Sequence, residues 1–118
     1  MKQLEPAALE MVANFFAALA VPTRLKIMSE LREGERNVGE LTAATGLTQA
    51  NVSKHLAVLA SNGLVCREPQ GTSVYYRIAD ERVFTLCDLV CGQIDERLRD
   101  LKTPQASLAA AVKRSAKR

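Results

Sequence analysis

The chain has 118 residues, 47% of them hydrophobic, which suits one compact domain and leaves room for little else. Its formal charge is +3, but four of its 16 Lys and Arg (Lys113, Arg114, Lys117 and Arg118) lie in the last six residues. The remainder holds 12 basic residues against 13 acidic, so affinity for a nucleic acid has to come from local placement of charge rather than from composition.

No apolar run is long enough to span a bilayer, and the segment from Val12 to Val21 lacks the basic start and cleavage pattern of a signal peptide. Three cysteines, Cys66, Cys87 and Cys91, are too few for a disulfide scaffold. The expectation is a soluble, cytoplasmic protein with free thiols and no membrane partner.

In chain order, Leu9, Val12, Phe16 and Leu19 recur at helical spacing and predict an amphipathic helix from about Pro6 to Ala20. Pro22 suits the first turn of a second helix, whose apolar residues are Leu25, Ile27, Met28 and Leu31 and whose stop is Gly34. Asn37, with Glu40 three residues on, predicts a capping box on a third helix that ends at Gly46. Thr48 is placed to cap a fourth, running to about Ser61 with Val52, Leu56 and Leu59 as its inner face and Asn62-Gly63 as its end.

A period-2 stretch follows. Leu64 to Glu68 and Ser73 to Ile78 read as strands, with Pro69-Gln70-Gly71-Thr72 as the turn between them. Asp80 is then expected to cap a long final helix with Val83, Cys87, Val90, Ile94, Leu98 and Leu101 on one stripe. Residues 1–102 are thus read as one mainly α domain with a small β-hairpin, a winged helix-turn-helix, and residues 103–118 as a basic tail, weakly helical or disordered.

The fourth helix carries the chemistry. With its aliphatic residues inward, Thr48, Gln49, Ala50, Asn51, Ser53, Lys54 and His55 fall on or near the exposed side of its first two turns. A recognition helix needs that arrangement, because its first turns enter the major groove. Gln and Asn match an adenine edge, while Lys and hydroxyl groups suit phosphates. Arg67 and Arg77 flank the hairpin and are candidates for backbone or minor-groove contacts, although the turn carries no basic residue. A solvated polar face is the simpler reading of any one such helix; three helices and a hairpin around it favour DNA.

Specific stretches carry a resemblance. Ala18 to Ile27, Gly39-Glu40-Leu41, Leu47 to Leu59, Gly63-Leu64-Val65 and Tyr75 to Asp80 resemble, in order and spacing, the arsenic-repressor (ArsR/SmtB) family of transcriptional repressors, over about residues 9 to 100. The resemblance implies a homodimer built on the first and last helices, repression by operator binding, and release when an effector binds. The long apolar stripe of the last helix independently asks for a second copy.

Metal-sensing relatives of this kind use several alternative sites. The third-helix thiol motif is absent, since Glu40 to Ala44 contains no cysteine. At the last-helix zinc site, Asp80 and Glu96 match in type, but Arg82 and Gln93 replace the histidines, which argues against zinc. Cys87 and Cys91 remain, four residues apart, able to chelate a soft metal ion or a trivalent metalloid or to respond to redox and sulfur species. The alternative is that both pack as small apolar groups, with no thiol-based sensing. A disulfide within the helix is disfavoured by spacing.

An enzyme is not expected: the single histidine, His55, lies on the candidate recognition helix, and there is no phosphate-binding glycine loop. A winged-helix module for protein contacts, without an operator, is the other alternative. The polar set on the fourth helix argues against it, because protein interfaces favour aromatic anchors.

Overall fold

The structure, a computed structural model, describes residues 3–101. The expected basic tail, 103–118, lies outside the described residues. The chain forms two compact units that divide between Asp80 and Glu81.

In the first unit the order is α1 (Pro6–Leu19), α2 (Pro22–Leu31), β1 (Arg36–Asn37), α3 (Val38–Thr45), α4 (Gln49–Ser61), β2 (Val65–Gln70) and β3 (Ser73–Ile78). The three strands form an antiparallel sheet in the order β1-β3-β2. Prolines open both α1 and α2, where a missing N–H costs nothing. Asn37 and Glu40 close the expected capping box: the Glu40 N–H donates to Asn37 Oδ1 at 2.8 Å, and the Asn37 N–H to Glu40 Oε1 at 3.0 Å.

α3 ends at Gly46, which takes the left-handed conformation (φ 74°) that a residue with a Cβ resists. Three residues, Gly46 to Thr48, then join α3 to α4. The core forms where α2, α3 and α4 meet: Ile27, Leu41, Val52, Leu56 and Leu59 are completely buried. Ala18, Leu19, Met28, Leu31, Leu64, Val65 and Ile78 are buried too. The one buried polar residue among those described, Thr45, is satisfied, its hydroxyl donating to the Leu41 carbonyl at 2.6 Å.

Four sequence expectations are corrected. α2 stops at Leu31, not at Gly34; the chain leaves through two tightened turns, Glu33 N–H to the Glu30 carbonyl and Gly34 N–H to the Leu31 carbonyl. Strand β1 was not expected; its two residues are recruited by pairing with Tyr75 and Tyr76 of β3. β2 continues through Pro69 to Gln70, leaving only Gly71-Thr72 as the turn. The proline is tolerated because β2 is an edge strand, paired only with β3.

The fourth correction concerns the second unit, whose described element is α5 (Arg82–Asp100). Its N-cap is Glu81 rather than Asp80. Glu81 is itself in helical conformation and makes no side-chain cap; the start is closed by the backbone, Phe84 N–H to the Glu81 carbonyl at 3.0 Å. α5 buries Val83 and Phe84 and leaves Leu89, Val90 and Ile94 exposed, as is Leu101 at its C-cap.

Among the described residues no single helix is long and apolar enough to cross a membrane. α1 and α2 satisfy length and composition only when joined, and they are bent by 82°.

Candidate nucleic-acid interface

The expected division of α4 into two faces is present. Val52, Leu56 and Leu59 are completely buried, whereas Thr48, Gln49, Ala50, Asn51, Ser53 and Lys54 are exposed. At 3.6 residues per turn, Ala50, Lys54 and Ala57 run along the line opposite the buried stripe. Asn51 and His55 flank that line on one side, and Gln49 and Ser53 on the other. The small Ala50 at the centre of the first turn lets a partner approach the backbone, with amide-bearing side chains on either side.

Thr48 positions this end of the helix. Its hydroxyl oxygen accepts the Asn51 N–H at 3.2 Å, and its carbonyl accepts the Val52 N–H at 3.0 Å. The hydroxyl proton stays available to donate to an anion. The N–H groups at the start of the helix add a partial positive charge in the same place.

His55 is half-buried and its Nδ1 is buried without a hydrogen-bond partner. Its pKa is lowered from the ordinary 6.5, first by burial and then by the positive charges of Arg24 and Lys54, so the ring is neutral near pH 7.

The hairpin treats its two arginines differently. Arg67 pairs with Tyr76, and Arg77 with Cys66; these neighbouring pairs project from opposite faces of the sheet. Both arginines are exposed, but Arg77 Nε lies 4.0 Å from Glu68 Oε2 while Arg67 is on the other side of the strand. The structure thus does not bring the two expected wing cations to one face. At the tip, Gln70 Nε2 donates to the Glu35 carboxylate at 3.3 Å, linking the hairpin to the loop before β1.

Two residues that shape this interface were not singled out from sequence. Lys26 Nζ donates to the Thr45 carbonyl at 3.0 Å, at the helix-turn-helix bend. Arg24 Nη2 donates to the Ala17 carbonyl at 3.4 Å, and its Nε is buried without a partner. The positive charges of α2 were the only available signal, and it does not say which carbonyl each side chain reaches.

Cys66 on β2 is half-buried. On α5, Cys87 is half-buried and Cys91 exposed, and none of the three is in a disulfide. Among the described residues no group of three or more His, Cys, Asp or Glu is arranged to hold a metal ion.

Comparison with known proteins agrees with this architecture. Residues 21–66 match the model of the bacterial regulatory protein arsR family. The chain is 41% identical over 102 residues to the HTH-type transcriptional regulator Rv0324 of Mycobacterium tuberculosis; the match covers 86% of this chain and 45% of that relative, so this chain spans less than half the relative's length. It is 36% identical over 100 residues to a transcriptional repressor SmtB homolog of Synechocystis, covering 80% of this chain and 76% of that one.

Among solved structures, it superposes with a TM-score of 0.72 and 40% identity on the homodimeric winged helix-turn-helix DNA-binding domain of Mb0332 from Mycobacterium bovis, a possible ArsR-family transcriptional regulator. That match covers 85% of this chain and 95% of the other. The fold is a winged helix-turn-helix, and the chain belongs to the arsR family of bacterial regulatory proteins.

Proposed function

We propose that this protein is a sequence-specific, DNA-binding transcriptional regulator that works as a homodimeric repressor in the cytoplasm and lets go of its operator when an effector binds. The observation that carries the reading is the division of α4: aliphatic side chains wholly inside, and an exposed first two turns bearing Gln49, Asn51, Ser53 and Lys54 behind the Thr48 cap. Gln49 and Asn51 are the base-reading residues, and Ser53, Lys54 and the Thr48 hydroxyl hold phosphates. His55 adds a donor at the flank, Ala50 gives close approach, and Arg67 and Arg77 act from separate faces of the wing.

Dimerisation is supported by uncovered apolar side chains. α1 exposes Leu9, Met11 and Phe16, and α5 exposes Leu89, Val90 and Ile94. Residues 1–102 act as one DNA-binding and dimerisation domain in this reading.

The effector acts at Cys87 and Cys91. Two cysteines outside any disulfide, one helical turn apart, suit a soft metal ion, a trivalent metalloid or a sulfur oxidant. A third ligand would have to come from the second copy, since no larger donor group is assembled among the described residues.

The test is a gel-shift titration with a duplex selected from random DNA, repeated over a range of salt. Specific binding that falls steeply with salt supports the reading; failure to select any sequence favours a protein-contact module. For the effector, the Cys87→Ser, Cys91→Ser double variant keeps DNA binding and no longer releases the duplex with metalloid or peroxide. Release equal to that of the parent contradicts the thiol role.

A further inference from the structure

Strand β1 brings a third arginine into the wing. Arg36 of β1 lies opposite Tyr76 of β3, and Tyr76 lies opposite Arg67 of β2. The three residues form one row across the sheet and share one of its faces. That face is the inner one, since it also carries the buried pair Val65 and Ile78, two residues before Arg67 and two after Tyr76. Beyond the row it carries Pro69 opposite Val74. The row therefore lies between two apolar pairs.

No carboxylate of the sheet belongs to this face. Glu68, the one acid of the three strands, alternates onto the other face, where it stands 4.0 Å from Arg77. Arg67 is exposed, and among the described residues its side chain makes no ion pair or hydrogen bond; nor does the Tyr76 hydroxyl. Arg36 is half-buried and uses only Nε, which donates to the Glu30 carbonyl in the last turn of α2 at 3.4 Å. Its terminal amino groups keep their donors.

Strands two apart in a sheet are separated by about 10 Å, a gap that two arginine side chains can close on one tetrahedral anion. Guanidinium forks match phosphate oxygens, and the phenol between them adds a third donor. We infer that Arg36, Tyr76 and Arg67 form a phosphate site that takes a backbone phosphate of the operator, and that Arg77, offset by Glu68, takes no part. This inference rests on the DNA-binding reading of α4, against which β2 packs, and deepens it: the wing holds the duplex through its inner face, by charge and without reading bases.

The test is a set of binding titrations over salt with variants of the full chain, on a duplex selected by the parent and on one of arbitrary sequence. Arg36→Met and Arg67→Met are each expected to lower the salt slope by about 1 per copy of the chain on both duplexes, and Arg77→Met by less than about 0.3. Arg67→Lys should keep the parent slope, because the charge stays, yet lose affinity severalfold, because a point charge makes no forked contact. Tyr76→Phe should weaken both duplexes about threefold or more with the slope unchanged. Where thermal melts show that Arg36→Met does not fold, Arg36→Gln keeps an N–H for the Glu30 carbonyl without the charge and takes its place.

Parent slopes in the Arg36 and Arg67 variants overturn the site, and equal losses from Arg67→Met and Arg77→Met overturn the division between the two faces. If the row variants bind both duplexes as the parent does while inorganic phosphate still shifts the Arg67 Nε–H signal in NMR, the row is a site for free anions and the assignment to DNA is wrong. If no duplex is selected but arbitrary DNA binds with a slope that Arg67→Met lowers, base reading by α4 fails and the phosphate site stands.

Discussion

Lys26 Nζ donates to the Thr45 carbonyl at 3.0 Å, so the middle of α2 is tied to the last turn of α3. That carbonyl belongs to a helix C-terminus, where a cation is favoured. The neighbouring Thr45 hydroxyl donates to the Leu41 carbonyl and accepts the Leu47 N–H, so the bend between α3 and α4 is held on both sides. Lys26→Met is expected to cost about 1 kcal/mol of stability in urea unfolding. Because the bend aims α4, the same variant should also weaken binding to a selected duplex.

The Thr48 cap separates stability from recognition. Thr48→Ala should lose about 1 kcal/mol, since the Asn51 N–H then loses its acceptor. Thr48→Asp should restore stability, because aspartate caps as well and complements the helix dipole. It should nonetheless weaken DNA binding below that of Thr48→Ala, because a carboxylate then stands where a phosphate is expected. Thermal melts and gel shifts on the same two variants check both halves.

His55 sets a pH dependence whose sign is fixed by its environment. Burial, then Arg24 and Lys54, lower its pKa in the folded chain below the ordinary 6.5. The unfolded chain therefore takes up the proton first as pH falls. The stability that neutral His55 contributes is fully present above about pH 6.5 and is lost as pH drops through the folded-state value. Melts of the parent and of His55→Gln over that window should diverge, the parent losing more. Parallel curves would mean the ring is not held in its neutral form.

The exposed apolar faces of α1 and α5 are expected to be covered by a second copy. Met11 is 74% exposed and Leu89 is 69% exposed in the single chain. Met11→Glu or Ile94→Glu should shift sedimentation toward the monomer without unfolding the first unit, because neither side chain belongs to its core. Binding to a two-half-site duplex should then fall by about tenfold or more, since the paired helices no longer bind together.

Much of this was legible in the sequence because the signals are local. The Asn37–Glu40 box, the Thr48 cap and Gly46 each act within three or four residues, and the inner stripe of α4 follows from helical period alone. The features that escaped depend on partners far along the chain. Arg36 and Asn37 form a strand only because β3 is there to receive them. Pro69 looks like a turn residue until β2 is known to be an edge.

Lys26 and Arg24 were two more charges on an amphipathic helix; which carbonyl each reaches is decided by packing. The placement of Arg67 and Arg77 on opposite faces was in principle readable. It follows from the parity of the pairing, which is the same whether the turn is the four residues Pro69 to Thr72 or the two, Gly71-Thr72, that the structure shows.

The most direct test of the account is the binding of Gln49→Ala and Asn51→Ala variants to a duplex selected by the parent protein, compared with Lys54→Ala. Each amide variant should keep its fold, lose about 1–3 kcal/mol on the selected sequence, and tolerate changes at the base it read. Lys54→Ala should weaken all sequences alike and lower the salt slope by about 1. If the amide variants bind the selected duplex as tightly and as selectively as the parent, α4 does not read DNA.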